Sequence, residues 1–272
     1  MNPITLLTDF GVADGYVGIM KGVILGIAPA APIIDISHMI SPQNIAEGAF
    51  VLSRAYRYFS RGTVHVAVVD PGVGGARRPV LIDAGHSVFI GPDNGIFSYV
   101  LAAETDLHAY HLDVRDYWLP AVSTTFHGRD IFAPCAAHVA RGVAPEKLGT
   151  AIPIDSLVRL PNLQATASAG VVRGQVVHID RFGNVITNIP ANLLAELGAG
   201  RAVTVRVGGQ NISDLATAYT DVAVGAMVAL ISSGGSLEIS VRNGDASRRL
   251  GCRAGDWVEC RCATADKAPG NS

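Results

Sequence analysis

The sequence predicts an α/β domain with a central, mostly parallel sheet, followed by a smaller β-barrel-like domain. Three observations carry that expectation. Over the first 150 or so residues, β-branched runs that end on an acid and a glycine turn alternate with segments of helical spacing. From residue 170 onward the signals become short strands joined by glycine-rich turns, which suits a small barrel or sandwich. Between them lies LPNLQATASAG, rich in Pro, Asn and Ser with little periodicity, which reads as a linker. The expected division is an α/β domain over 1–152, a linker over 153–169, a β domain over 170–263 and a flexible tail over 264–272.

Taken in order, Ile4 to Thr8 is a short apolar strand that runs directly into Asp9, Gly11, Asp14 and Gly15. Tyr16 to Ile27 has helical spacing, stopped by Pro29 and Pro32 before a strand to Ile36. Ser41 is the expected N-cap of a helix that starts at Pro42 and runs to about Phe59. The stretch TVHVAVVDPGVGGARR, Thr63 to Arg78, is a buried strand that ends at Asp70. Pro71, Gly72, Gly74 and Gly75 then turn the chain back tightly enough to bring Arg77 or Arg78 near that acid. Arg77, Arg78 and Pro79 lead straight into another strand, Pro79 to Asp83, so the helix that follows the glycine loop of a methyltransferase is missing. No Gly-Lys-Ser/Thr follows either, which excludes a phosphate loop. Val88 to Ile90 is a strand, about Ile96 to Ala103 a helix, and TTFHGRD precedes a helix from about Ile131 to Arg141. In the second half, strands are expected at Gly170 to Ile179, Ala202 to Val207, Met227 to Ile231, Leu237 to Val241 and Asp256 to Arg261.

Composition narrows the partners. Lys and Arg number 21 against 23 Asp and Glu, for a net charge of -2, so the chain lacks the electrostatic footprint of a nucleic-acid or anionic-membrane binder. Hydrophobic residues make up 49% and charged residues 16%, which implies surface buried against other subunits. MNPITLLTDFG has no basic leader, and the apolar run from Gly22 to Ile36 is broken by two prolines and too short to span a bilayer. A cytoplasmic protein is the expectation. The four cysteines, Cys135, Cys252, Cys260 and Cys262, read as free thiols, and no metal site is expected.

Several residues are placed to do chemistry. Strand ends at one edge of an open α/β sheet are where ligands sit, which makes Asp9 and Asp70 site candidates. His127 stands between a loop and a helix start, well placed to face a cleft. His178 to Asn184 ends a strand with an acid, an aromatic and an amide, suited to a heterocycle, and Ser232 to Ser236 offers hydroxyls and backbone N–H groups suited to a carboxylate.

Together, LTDFG, VVDPGVGG with Arg77, GPDNG, FHGRD, IDRFGN-ITNI and SSGGSLEISVRNGDA resemble the SAM hydroxide adenosyltransferases, relatives of the SAM-dependent fluorinase and chlorinase. The resemblance implies that water or hydroxide attacks the ribose 5′-carbon of S-adenosylmethionine (SAM), giving adenosine and methionine. SAM is then the substrate and no cofactor is implied. By the family pattern Asp70, Arg77 and His127 form the catalytic group and Asp9 holds the ribose hydroxyls. Phe182, Asn184 and Tyr219 match positions around adenosine, and Asp180 and Ser233 match positions around methionine. Glu238 and the backbone at Val241 are further carry-overs. Gly234 stands where the fluorinase has an arginine. The resemblance also implies a homotrimer with sites between subunits. A halogenating relative and a non-catalytic SAM or adenosine binder are the alternative functions.

Overall fold

The structure is a computed structural model that describes residues 1–262, and it divides into two compact units, Met1–Pro161 and the chain from Asn162 onward. The tail expected over 264–272 lies outside the described residues.

The first unit holds a seven-stranded sheet built from β1 (Ile4–Thr8), β2 (Ile33–Ser37), β3 (Thr63–Val68), β4 (Pro79–Asp83), β5 (Ser87–Pro92), β6 (His108–His111) and β7 (Thr150–Ile152). The order is β2-β1-β3-β5-β4-β6-β7. Pairing is parallel from β2 to β5 and antiparallel from β5 to β7. The change of sense follows from the short β4–β5 connection, since a few residues can close only an antiparallel hairpin.

Helices cover both faces, which is why the central strands are apolar on both sides. Ile4, Leu6, Val64 and Val66 pack with Met20 and Ile24 of α1 (Tyr16–Ile27) and with α4 (Ala133–Ala140). On the opposite face Leu7, Ala67 and Val69 meet Leu52 of α2 (Ile45–Ala55) and Val100 of α3 (Ser98–Ala103). Every residue of β3 is buried, as its Val-rich composition requires.

The helix expected from Pro42 begins later. Gln43 adopts a left-handed φ of 66°, which is incompatible with a first helical turn, and Asn44 is the N-cap, its side chain accepting from the Glu47 amide at 3.1 Å. Segment 153–160 is held to the first unit. The Arg78 guanidinium binds both Asp93 and the Ser156 carbonyl at 2.6 Å, and Asp93 accepts from the Val158 amide at 2.8 Å. Arg78 is thus a packing residue rather than a partner of Asp70.

The second unit contains β8 (Thr166–Ser168), β9 (Val171–Ile179), β10 (Val185–Pro190), α5 (Ala191–Gly198), β11 (Val203–Val207), β12 (Gln210–Ser213), β13 (Leu215–Ala216), β14 (Met227–Ile231), β15 (Ser236–Val241), α6 (Ala246–Leu250) and β16 (Trp257–Cys262). The strand order β12-β11-β16-β9-β10-β15-β14-β13 brings β12 back beside β14, so the sheet curls into a nearly closed barrel. Its core is the inward set Val172, Val176, Val185, Leu237, Ile239 and Val258 with their neighbours. No helix among the described residues is long and apolar enough to cross a membrane.

Candidate active site

The site of the first unit is set by sheet register. Strands β1 and β3 are parallel neighbours with Thr8 opposite Val68, so Asp9 and Asp70 leave the same sheet edge within two residues of that pair. Both line a cleft of about 440 Å³, together with Phe10, Gln43, Phe126 and His127. The Gln43 amide donates to Asp9 Oδ2 at 2.8 Å, so its unusual backbone conformation serves to orient the acid. Sequence reasoning missed Gln43 as a site residue because a backbone donor leaves no mark in residue type.

The glycine turn after β3 brings back Arg77 and not Arg78. Arg77 Nε reaches both Asp70 oxygens at 3.0 and 2.9 Å, and Nη2 reaches Oδ2 at 2.5 Å. The same Nη2 donates to His127 Nδ1 at 2.7 Å. The two side chains of the ion pair are 9% and 4% exposed, a shielding that strengthens the charge-assisted bonds. Arg77 also lies over the Phe132 ring at 5.4 Å.

Gly74 explains how the two loops come so close. Its φ is +76°, and a Cβ there would stand 2.2 Å from the Thr124 carbonyl oxygen, so only glycine lets the turn dock on the segment that carries His127. His127 precedes a π-helical turn, Gly128–Phe132, that leads into α4. Burial lowers its pKa, and the Arg77 charge lowers it further, so the ring is neutral at neutral pH. Arginine has no acceptor, so Nδ1 of that neutral ring is the unprotonated nitrogen.

In the second unit the structure joins two of the candidates, Tyr219 and Glu238. Tyr219 donates to Glu238 Oε1 at 2.5 Å, and Ser240 donates to the same oxygen at 2.8 Å. The Tyr219 pKa is pushed up to about 12, first by the bond to Glu238, then by burial, with a smaller push from the nearby Asp180 charge. Asp180 caps its own turn, accepting from the amides of Phe182 and Asn184 at 2.8 and 2.9 Å and from Asn184 Nδ2 at 2.8 Å. Gly183 keeps that turn tight, since a Cβ would lie 2.3 Å from the Asp245 carboxyl. Phe182 is left 75% exposed, an aromatic face free to stack. Ser233 sits exposed in the turn between β14 and β15, and Val241 is buried at the end of β15.

An acid, an arginine and a histidine linked at the edge of a parallel sheet, in a chain whose second unit is a small barrel, define a class of two-domain enzyme with a strand-edge active site. The chain belongs to the SAM hydroxide adenosyltransferase family: the family's N-terminal domain matches residues 4–149 and its C-terminal domain residues 174–259. It is 39% identical over 263 residues to the (R)-S-adenosyl-L-methionine hydrolase of Thermus thermophilus, covering 94% of this chain and 98% of that one. A fluorinase from Nocardia brasiliensis is more distant, at 28% identity over 95% of this chain and 96% of its own. Among solved structures, an uncharacterized conserved protein from Thermotoga maritima superposes with a TM-score of 0.89 at 38% identity, covering 95% of this chain and 99% of that one.

Proposed function

We propose that the protein hydrolyses SAM to adenosine and L-methionine by attack of water on the ribose 5′-carbon. The observation that carries this reading is the Asp70–Arg77–His127 link at a cleft that also presents Asp9. As the new O–C5′ bond forms, the C5′–S bond breaks and its electron pair stays on sulfur. The sulfonium leaves as a neutral thioether, so no general acid is required.

Water, with a pKa of about 15.7, is the poor partner and has to be oriented and relieved of a proton. Attack turns it into an acidic oxonium, so a carboxylate suffices as acceptor. Asp70 takes that role, because its carboxylate lines the cleft and keeps lone pairs beyond those bonded to Arg77, whereas the single lone pair of His127 Nδ1 is occupied. Arg77 and His127 hold the acceptor in place. Positioned proton transfer of this kind is worth roughly a hundred- to ten-thousandfold.

A fixed carboxylate also discriminates between nucleophiles. Beside the cationic sulfonium its charge is favourable, whereas beside an incoming halide it is repulsive, which weighs against a halogenase. Asp9 holds the ribose hydroxyls, Phe182, Asn184 and Tyr219 contact adenosine, Asp180 and Ser233 serve the methionine end, and Glu238 and the Val241 backbone are further substrate contacts. No cofactor or metal takes part. The protein works in the cytoplasm as a homotrimer, with each site completed by the β domain of a neighbouring subunit.

Product analysis in ¹⁸O-water tests the reaction. Label in the 5′-hydroxyl of adenosine supports hydrolysis, and 5′-halogenated adenosine as the main product in chloride or fluoride overturns it. Asp70→Ala is expected to lower kcat far more than it weakens SAM binding measured by calorimetry; equal losses assign Asp70 to plain substrate binding. Light scattering checks the trimer.

A further inference from the structure

We propose that Asp130 and Ser123 are positioning residues for the reaction: the buried Asp130 carboxylate fixes Ser123, and Ser123 fixes the segment that presents His127 to Arg77. The activity part of this inference rests on the hydrolase reading above.

Asp130 is fully buried, and a buried carboxylate is tolerated only when its oxygens are satisfied. Its Oδ2 accepts from both the amide and the hydroxyl of Ser123, each at 2.8 Å, and Oδ1 accepts from Arg129 Nε at 2.6 Å. The Ser123 oxygen in turn accepts from the Phe126 amide at 3.0 Å. A hydroxyl that donates to Asp130 and accepts from Phe126 has no rotational freedom left, so residue 123 is locked at backbone and side chain alike.

Ser123 is tied to His127 through the chain, because the Phe126 amide that its oxygen accepts from belongs to the residue immediately before the histidine. A path therefore runs Asp130, Ser123, Phe126, His127, Arg77, Asp70, which holds His127 through its backbone on one side and by Arg77 on the other. It crosses between the two loops where Gly74 and Thr124 meet. The ionised groups that bear on His127 are Arg77, Asp70 and Asp130, the first lowering its pKa and the two acids raising it.

A purely local role, closing the loop before α4, would make Asp130 matter for stability alone. The chain predicts more. Asp130→Asn keeps the volume and one acceptor oxygen but removes the charge. It is expected to lower kcat by about tenfold to a hundredfold while KM stays within about threefold, because a reacting geometry loosened by a fraction of an ångström costs rate before it costs binding. The acid limb of the kcat profile and the His127 midpoint are both expected to move to lower pH, since a charge that stabilises the imidazolium is gone.

Histidine ¹⁵N spectra supply a readout that needs no turnover: wild type is expected to show His127 protonated at Nε2 alone, and Asp130→Asn a mixture of tautomers. Ser123→Ala, which removes only the hydroxyl, is expected to give the same changes at smaller size and carries the test if Asp130→Asn does not fold. A folded Asp130→Asn with wild-type kcat and an unchanged His127 spectrum overturns the inference, as does a rise in KM at constant kcat. Should the wild-type protein release no adenosine from SAM, the hydrolase reading fails, and the tautomer measurement still decides the positioning role.

Discussion

Gly74→Ala perturbs the site without touching the cleft. At φ +76° an alanine carries about 1–2 kcal/mol of backbone strain. Its Cβ would stand 2.2 Å from the Thr124 oxygen, so the turn at 70–77 and the segment leading to His127 must separate by about 1 Å to reach ordinary contact. The Arg77–His127 bond, now 2.7 Å, would stretch beyond hydrogen-bond length. A displacement of that size at reacting groups costs on the order of a hundredfold in rate, so kcat is expected to fall by about that factor. Total destabilisation of about 2 kcal/mol lowers Tm by roughly 4–8 °C for a chain of this size. Gly72→Ala is the control. Its Cβ would meet Arg77 Cγ at an ordinary 3.5 Å, and its kcat is expected to change by less than about twofold. Adenosine release from SAM, followed by chromatography with parallel thermal melts, makes the comparison. A Gly74→Ala protein whose Tm falls as expected but whose kcat stays within about threefold of wild type would refute the claim that loop contact sets catalytic geometry.

His65 lies fully buried, stacked on Phe89 and bonded to the Thr5 hydroxyl at 2.8 Å, and burial lowers its pKa to about 4. Its folded pKa is below the ordinary 6.5, so the stability it supports is complete above pH 6.5. That stability is lost as pH falls, by about 1 kcal/mol at pH 5.5 and about 3 kcal/mol at pH 4. Urea unfolding across that range should show the slope in wild type and a reduced one in His65→Gln; equal slopes would place the proton uptake elsewhere. Tyr219→Phe removes one of the two side-chain donors to the buried Glu238, leaving Ser240. The expected destabilisation is about 1–3 kcal/mol, read by chemical denaturation without SAM, and no change would mean that Glu238 finds another donor.

What the residues determine by themselves is local and periodic. The valines of β3, the glycines that follow Asp70 and the helical spacing of α1 each encode their own conformation, because pleat, turn and helix are properties of a few neighbouring residues. The acids at strand ends were legible for the same reason: parallel strands deliver their C-terminal residues to one edge. Turn chemistry leaves Arg77 and Arg78 equivalent, and the family resemblance alone favours Arg77. Only the tertiary structure separates them, by giving Arg78 to Asp93 and Ser156. The start of α2 was misread because Ser41 and Pro42 carry the composition of a cap, while the left-handed Gln43, whose amide serves Asp9, delays the helix to Asn44. The bonds that complete the site run from 43 to 9, from 77 to 127 and from 123 to 130. Two of the three join segments distant in sequence and depend on backbone groups or ring tautomers, which residue identity does not specify and which packing alone decides.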